Sequence, residues 1–154
     1  MKVIFLDIDG VLNSRKYDAI RTPADGNIDT TRLALLQQLV EWTGACVVLT
    51  SSWRKHLNSA AKALDETGRE LACLFSGFGI SLYGVTPELG EHRAEEITAW
   101  CSAHPEVTKF AVLDDIKFGW GALDPFVVKT DYRIGRGLEQ IHIEKAAEIL
   151  LKAE

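Results

Sequence analysis

No stretch of the chain is apolar for long enough to cross a bilayer, and no signal-peptide pattern opens it, so neither a membrane protein nor an exported one is expected. Cysteine is scarce. Cys46, Cys73 and Cys101 are odd in number and show neither a CxxC nor a metal-ligand spacing. They read as small core residues in a reducing, cytoplasmic setting, not as disulfide partners or zinc ligands. The four histidines, at 56, 92, 104 and 142, form no HxH or HxxxH pair and read as surface or capping residues. An excess of basic residues is also missing: the net charge is −5, which argues against a strongly basic nucleic-acid binder on bulk charge alone. Internal repeats, low-complexity segments and linkers are absent. What is present, 47% apolar and 25% charged residues over 154 positions, fits a single soluble domain spanning residues 1–154 with one core.

The most informative stretch is Lys2-Val-Ile-Phe-Leu-Asp-Ile-Asp-Gly-Val-Leu-Asn13. A short continuous apolar run predicts a buried strand, central in a parallel sheet. It ends in Asp7 and Asp9, and in open α/β sheets ligands bind at the carboxyl ends of strands. Two residues apart in extended backbone, both carboxylates are expected on one side, and Gly10 lets the chain turn away. Like charges this close repel, and burial makes that worse. A bound cation relieves it, and oxygen ligands without His or Cys favour Mg²⁺ over zinc. The alternative is an acidic turn after a strand.

Residues 14–27 show no period and contain Asp25-Gly26, which predicts a loop or small flap over the end of the first strand. A helix begins at Asp29 or Thr30 and ends near Gly44. Ala45 to Leu49 reads as a second strand, ending in Thr50-Ser-Ser-Trp-Arg54. Hydroxyls at a strand end before a helix make an oxyanion site, in which Thr50 is expected to touch a ligand; simple N-capping by Ser51 or Ser52 is the alternative. A helix is expected from Trp53 to Thr67, one portion ending near Gly68 and another turn added over Glu70 to Phe75, and a short edge strand within 76–84. A further helix spans about 91–103 and carries Arg93 in its first turn, where a cation is mildly unfavourable unless it meets an anion or a carboxylate. Otherwise Arg93 is a solvated residue paired to Glu96 or Glu88. Lys109 to Leu113 is a fourth strand and runs into Asp114-Asp115. A fifth strand (126–129) and a last helix (142–152) follow. Four carboxylates, Asp7, Asp9, Asp114 and Asp115, are thus expected to converge on one sheet edge. Each pair of like charges at about 4 Å costs roughly 4 kcal/mol at an effective dielectric near 20, and a divalent cation offsets several such terms.

The order of these elements resembles the haloacid dehalogenase (HAD) superfamily over essentially the whole chain. The resemblance is carried by Phe5-Leu-Asp7-Ile-Asp9-Gly-Val, by Val47-Val-Leu-Thr50, by Arg93 and by Leu113-Asp114-Asp115. The Ser-Ser-Trp-Arg and Leu-Asp-Asp details look most like the small HAD branch found in Swiss Army Knife RNA-repair proteins. The resemblance implies an α/β, three-layer Rossmann-like fold with five parallel strands in the order 5-4-1-2-3 and no sizeable cap domain. It further implies a Mg²⁺-dependent phosphomonoester hydrolase. Asp7 would be the nucleophile that forms an aspartyl-phosphate and Asp9 the general acid and base. Asp7, the backbone carbonyl of Asp9, Asp114 and, directly or through water, Asp115 would hold the metal, and Thr50, Ser51 and Arg93 the phosphate. An open site favours a large phosphorylated substrate such as a nucleic-acid end, or a nucleotide. Arg15, Lys16, Arg21, Arg54, Lys55, Lys117, Lys129, Arg133 and Arg136 are expected to make its face basic, with Tyr17, Phe118 and Trp120 either stacking on bases or packing on the core. The competing functions are a non-catalytic metal- or phosphate-binding module on the same scaffold, a phosphotransferase, and a metal nuclease built on the same carboxylates.

Overall fold

The computed structural model describes residues 1–14, 28–90, 92–133 and 135–153. The loop or flap expected over 14–27, with Arg15, Lys16, Tyr17 and Arg21, lies outside the described residues except for Ser14. Five parallel strands, β1 (Lys2–Leu6), β2 (Cys46–Leu49), β3 (Leu82–Val85), β4 (Lys109–Asp114) and β5 (Val127–Lys129), form one sheet in the order β3-β2-β1-β4-β5. That is the expected order, with β1 in the centre.

The period of two along β1 builds both halves of the core. Ile4 and Leu6 face one side, among Leu33, Leu36 and Leu39 of α1 (Thr30–Thr43), Leu71 and Phe75 of α2 (Glu66–Gly77), and Ile143, Ala146 and Leu150 of α4 (Gln140–Leu151). Val3 and Phe5 face the other side, against Ile97 and Trp100 of α3 (Arg93–Ala103), with Val48, Val112 and Trp120. Each fully buried aliphatic or aromatic side chain contributes about 1.5–3 kcal/mol, which explains why the central strands are apolar on both faces. Helix α1 starts and stops as expected: the Asp29 side chain accepts from the Thr31 N–H, and Gly44 takes the left-handed C-cap conformation at φ 69°. Of the cysteines, Cys46 and Cys101 are half-buried and Cys73 is exposed, so Cys73 is not the core residue its type suggested.

The segment after β2 departs from expectation. In place of one helix over 53–67 there is a short 3₁₀ turn (Ser52–His56), then an irregular loop, then α2. The cause is local. The Asn58 side chain accepts from the N–H groups of Ala60 and Lys62, which competes with helical pairing. The Asp65 side chain then accepts from the Gly68 N–H and starts a new helix. Gly68 therefore sits in a first turn, not at a helix end. A side chain there would overlap the His56 carbonyl oxygen, so the close approach of α2 to the 3₁₀ turn requires glycine. The residues expected to begin an edge strand at 76 instead close α2, and β3 begins at Leu82.

Backbone pairing extends past the strand ends. Asp7 N–H donates to the Leu113 carbonyl, Thr50 N–H to Leu6, Thr86 N–H to Leu49, and Thr130 N–H to Asp114. One row of polar residues is thereby held in register along the carboxyl edge of the sheet. Among the described residues no cap domain stands over this edge; β3 and α3 are joined by residues 86–92 alone. No helix is long and apolar enough to cross a membrane.

Candidate active site

At the carboxyl edge, Asp7 from β1 and Asp114 and Asp115 from β4 each offer a carboxylate oxygen, all within 4.8 Å of one another. Adjacent parallel strands in register bring them together: Leu6 pairs with Leu113, so the next residues along are neighbours. Asp7 and Asp114 are buried and Asp115 is partly so. At about 4.8 Å and an effective dielectric near 20, each pair of ionised groups repels by roughly 3–4 kcal/mol. Burial, with the neighbouring carboxylates, holds the Asp7 carboxyl well above the usual range. Burial likewise raises Asp114, to about 6, and raises Asp115.

Asp9 does not join this group. Backbone pairing with β4 ends at the Asp7 N–H, and residues 9–12 turn, with the N–H groups of Val11 and Leu12 both donating to the Ile8 carbonyl. The two-residue alternation that would have put Asp9 beside Asp7 ends before it reaches Asp9. Its carboxylate instead accepts from Asn13 Nδ2 at 3.0 Å and is half-buried beside the site. Three side-chain carboxylates, not four, therefore converge. The turn itself is tightly held. Gly10 has φ 87°, and a Cβ there would stand 2.6 Å from the Asp115 carboxylate carbon. Its N–H donates to Asn13 Oδ1 at 2.9 Å, and its carbonyl accepts from Thr130 Oγ1 at 2.7 Å.

Arg93 is the cation that meets these acids. Side chains lean toward the N-terminus of their helix, so a residue in the first turn of α3 reaches over the strand ends. Arg93 Nη1 lies 2.6 Å from Asp114 Oδ2, 3.4 Å from Asp7 Oδ1 and 3.4 Å from Thr50 Oγ1. Burial opposes its charge, and Asp7 and Asp114 more than restore it. The anion that a first-turn arginine requires is thus supplied from within the chain.

The carboxylates Glu96 and Glu88 belong to a different arginine. Arg54, only 8% exposed, forms an ion pair with the buried Glu96, and its Nε lies 3.6 Å from Glu88 Oε1. Its Nη1 donates to the Thr50 carbonyl at 2.7 Å and to Thr86 Oγ1 at 3.0 Å. Arg54 therefore joins the ends of β2 and β3 to α3, the helix that carries Arg93. It was expected on a basic rim, and nothing in the local pattern distinguishes it from a surface residue. Thr50 is buried, with its hydroxyl on Arg93. Ser51 is equally buried, and its Oγ accepts from the Trp53 N–H as the cap of the 3₁₀ turn. Ser52, one residue on, lines an open cleft of about 450 Å³ together with Arg93, Arg54, Gly90 and Ile116.

Three of the described rim residues are spent on internal pairs. Lys129 meets Asp124 at 2.7 Å, Arg133 meets Asp131 at 2.5 Å, and Arg136 meets Glu139 at 3.2 Å. Of the aromatics, Trp120 is buried in the core and donates its Nε1–H to the Ile116 carbonyl, whereas Phe118 is 86% exposed.

The family model for the HAD domain in Swiss Army Knife RNA repair proteins matches residues 3–141. The chain belongs to this family. No curated protein matches the chain, and no solved structure does. Membership gives a phosphatase-like scaffold with an acidic cluster where the HAD fold generally uses Mg²⁺. All the strand-end elements of this HAD domain, from Asp7 through Thr50 and Arg93 to Asp115, fall within the matched span.

Proposed function

We propose that this HAD domain is a Mg²⁺-dependent phosphomonoester hydrolase acting through an aspartyl-phosphate, with nucleotides or polynucleotide ends as substrates. The observation that carries the reading is the convergence of Asp7, Asp114 and Asp115 beneath a single arginine. Three clustered carboxylates, each with a raised pKa, fit a hard divalent cation, and Asp7, Asp114 and Asp115 would hold it. When bound, Mg²⁺ would neutralise phosphoryl charge and keep Asp7 ionised.

The chain's own groups supply the rest. A carboxylate oxygen of Asp7 attacks phosphorus, and the bond from phosphorus to the leaving oxygen breaks. Asp9, beside the site and oriented by Asn13, gives that oxygen a proton. Water then attacks the phosphorus of the acyl phosphate, Asp9 takes its proton, and the bond to Asp7 breaks. The products are an alcohol and inorganic phosphate, and both carboxyl groups return to their starting state. Arg93 and Thr50 hold the phosphoryl oxygens through the transition state. Arg93 lines the open cleft, so it can serve a phosphate while still touching Asp114. Nucleic-acid ends are favoured by two features: an edge uncapped among the described residues, and a family description that names RNA repair proteins.

The test is phosphate release from an aryl phosphate and from 3′- and 5′-phosphorylated oligonucleotides, with Mg²⁺ or with chelator, for wild type and Asp7→Asn. Release that requires Mg²⁺ and is lost in Asp7→Asn is expected. Release that persists in Asp7→Asn contradicts the assignment.

A further inference from the structure

The phosphate-site cleft does not end at Ser52. A second cleft of about 530 Å³ shares Ser52 as a wall and continues past Lys55 and His56 to Thr67 on α2. The two clefts thus lie on either side of one short 3₁₀ turn, the segment that directly follows Thr50.

The second cleft is furnished with donors in fixed positions. His56 Nδ1 lies 2.7 Å from Asp65 Oδ2, while Asp65 Oδ1 accepts from the Gly68 N–H at 2.8 Å. The carboxylate is thereby anchored to the start of α2, and it orients the ring in turn. The backbone of His56 is held as well, because its carbonyl accepts from the Leu64 N–H at 2.9 Å and packs against Gly68. With Nδ1 committed to Asp65, Nε2 is the polar atom of the ring left for a ligand, and a protonated ring donates from both nitrogens. Lys55 is exposed on the same cleft and has no carboxylate partner among the described residues, unlike Lys129, Arg133 and Arg136. An ammonium, the hydroxyls of Ser52 and Thr67, and the oriented imidazole in its protonated form make a set of donors suited to an anion. Four residues of 3₁₀ helix, at about 2.0 Å each, separate Ser52 from His56 by about 8 Å.

From this geometry we infer that Lys55 and His56 form a second anion site, which takes a phosphodiester group of a nucleotide chain whose terminal phosphate lies at Asp7. The inference rests on the hydrolase reading for the identity of the first site. It makes the protein an end-processing enzyme that grips the chain inside its end, and it makes Lys55 and His56 determinants of specificity with no part in the bond-breaking step.

The test is binding, not turnover. A fluorescent hexanucleotide with a terminal phosphate, and separately a phosphorylated mononucleotide, are titrated into the full chain carrying Asp7→Asn, alone and combined with Lys55→Ala, with His56→Gln, or with both. Affinity is measured across a range of salt concentrations. The expected result is tighter binding of the hexanucleotide than of the mononucleotide. The double variant should lose about tenfold for the hexanucleotide, with the slope of log K against log salt shallower by about 0.7 for each phosphate contact removed. Binding of the mononucleotide should not change. Lys55→Ala carries the test if His56→Gln disturbs the fold, because Lys55 is exposed. Hexanucleotide affinity and slope unchanged by the variants, equal losses for both ligands, or a hexanucleotide bound no better than the mononucleotide would each overturn the inference. The pattern of binding appearing with no phosphate release from the wild type would instead overturn the hydrolase reading and leave the second anion site standing.

Discussion

At the scale of single residues, two arginines define the candidate site: Arg93 meets carboxylates as a first-turn cation is expected to, whereas Arg54 leaves the basic rim for a buried ion pair. Arg54 has the position of a rim residue, four after Thr50, yet it is buried on Glu96; Arg93 has Glu96 one turn away, yet it reaches Asp7 and Asp114. Which guanidinium meets which carboxylate depends on how α3 sits against the strand ends, and no local pattern records that. Removing one partner of a buried ion pair leaves an uncompensated charge, at a cost of about 3–5 kcal/mol, whereas replacing both with apolar residues is often neutral. Urea unfolding should therefore find Arg54→Met destabilised by about that amount, and Arg54→Met with Glu96→Leu restored by most of it. The double variant should still lose phosphatase activity, because the Thr50 carbonyl has lost its donor at 2.7 Å. A double variant as unstable as the single one would show that the pair is not what Arg54 contributes.

At the scale of elements, the apolar runs ending in Asp7, Thr50 and Asp114 were legible because a central parallel strand must be apolar on both faces, a requirement few other segments meet. The stretch 53–67 was not, since its apolar spacing suits a helix while Asn58 and Asp65 bond locally and divide it. The same limit applies to Asp9, whose side chain follows the turn of residues 9–12 and not the alternation of β1. Helix α4 shows how an end is set by a titratable cap. Glu139 N–H donates to His142 Nδ1 at 2.9 Å, and the Glu139 side chain completes the capping box. Burial lowers the His142 pKa below 6.5, with Lys145, Arg136 and Arg32 adding to it and Glu139 opposing. A depressed histidine binds fewer protons folded than unfolded. Its contribution to stability is therefore complete above pH 6.5 and is lost as pH falls through the folded value. Thermal melts should show wild type losing stability relative to His142→Gln between pH 7 and pH 5, since glutamine keeps an acceptor at that position without titrating. A difference that does not vary with pH would contradict the role of the cap.

At the scale of the whole molecule, a chain of net charge −5 gathers acid at one edge of its sheet and commits Lys129, Arg133 and Arg136 to local ion pairs. Arg93, the Ile116 N–H on Asp114 and the backbone register help hold that edge together against repulsion. A cation that binds the folded state and not the unfolded one stabilises it by about 2.7 kcal/mol at a hundred times its Kd. For a domain of this size that corresponds to a rise in Tm of roughly 5–10 °C. Mg²⁺ should produce such a rise at neutral pH in wild type and not in Asp114→Asn with Asp115→Asn; an equal rise in both would place the ion elsewhere.

The central claim is that Asp7 carries the phosphoryl group. It is tested most directly by acid-quenching the enzyme during turnover of a phosphorylated substrate with Mg²⁺ and determining the mass of the intact chain and of its peptides. The account predicts a population heavier by one phosphoryl group, located on Asp7 and missing from Asp7→Asn. Steady phosphate release with no such adduct, undiminished in Asp7→Asn, would contradict it.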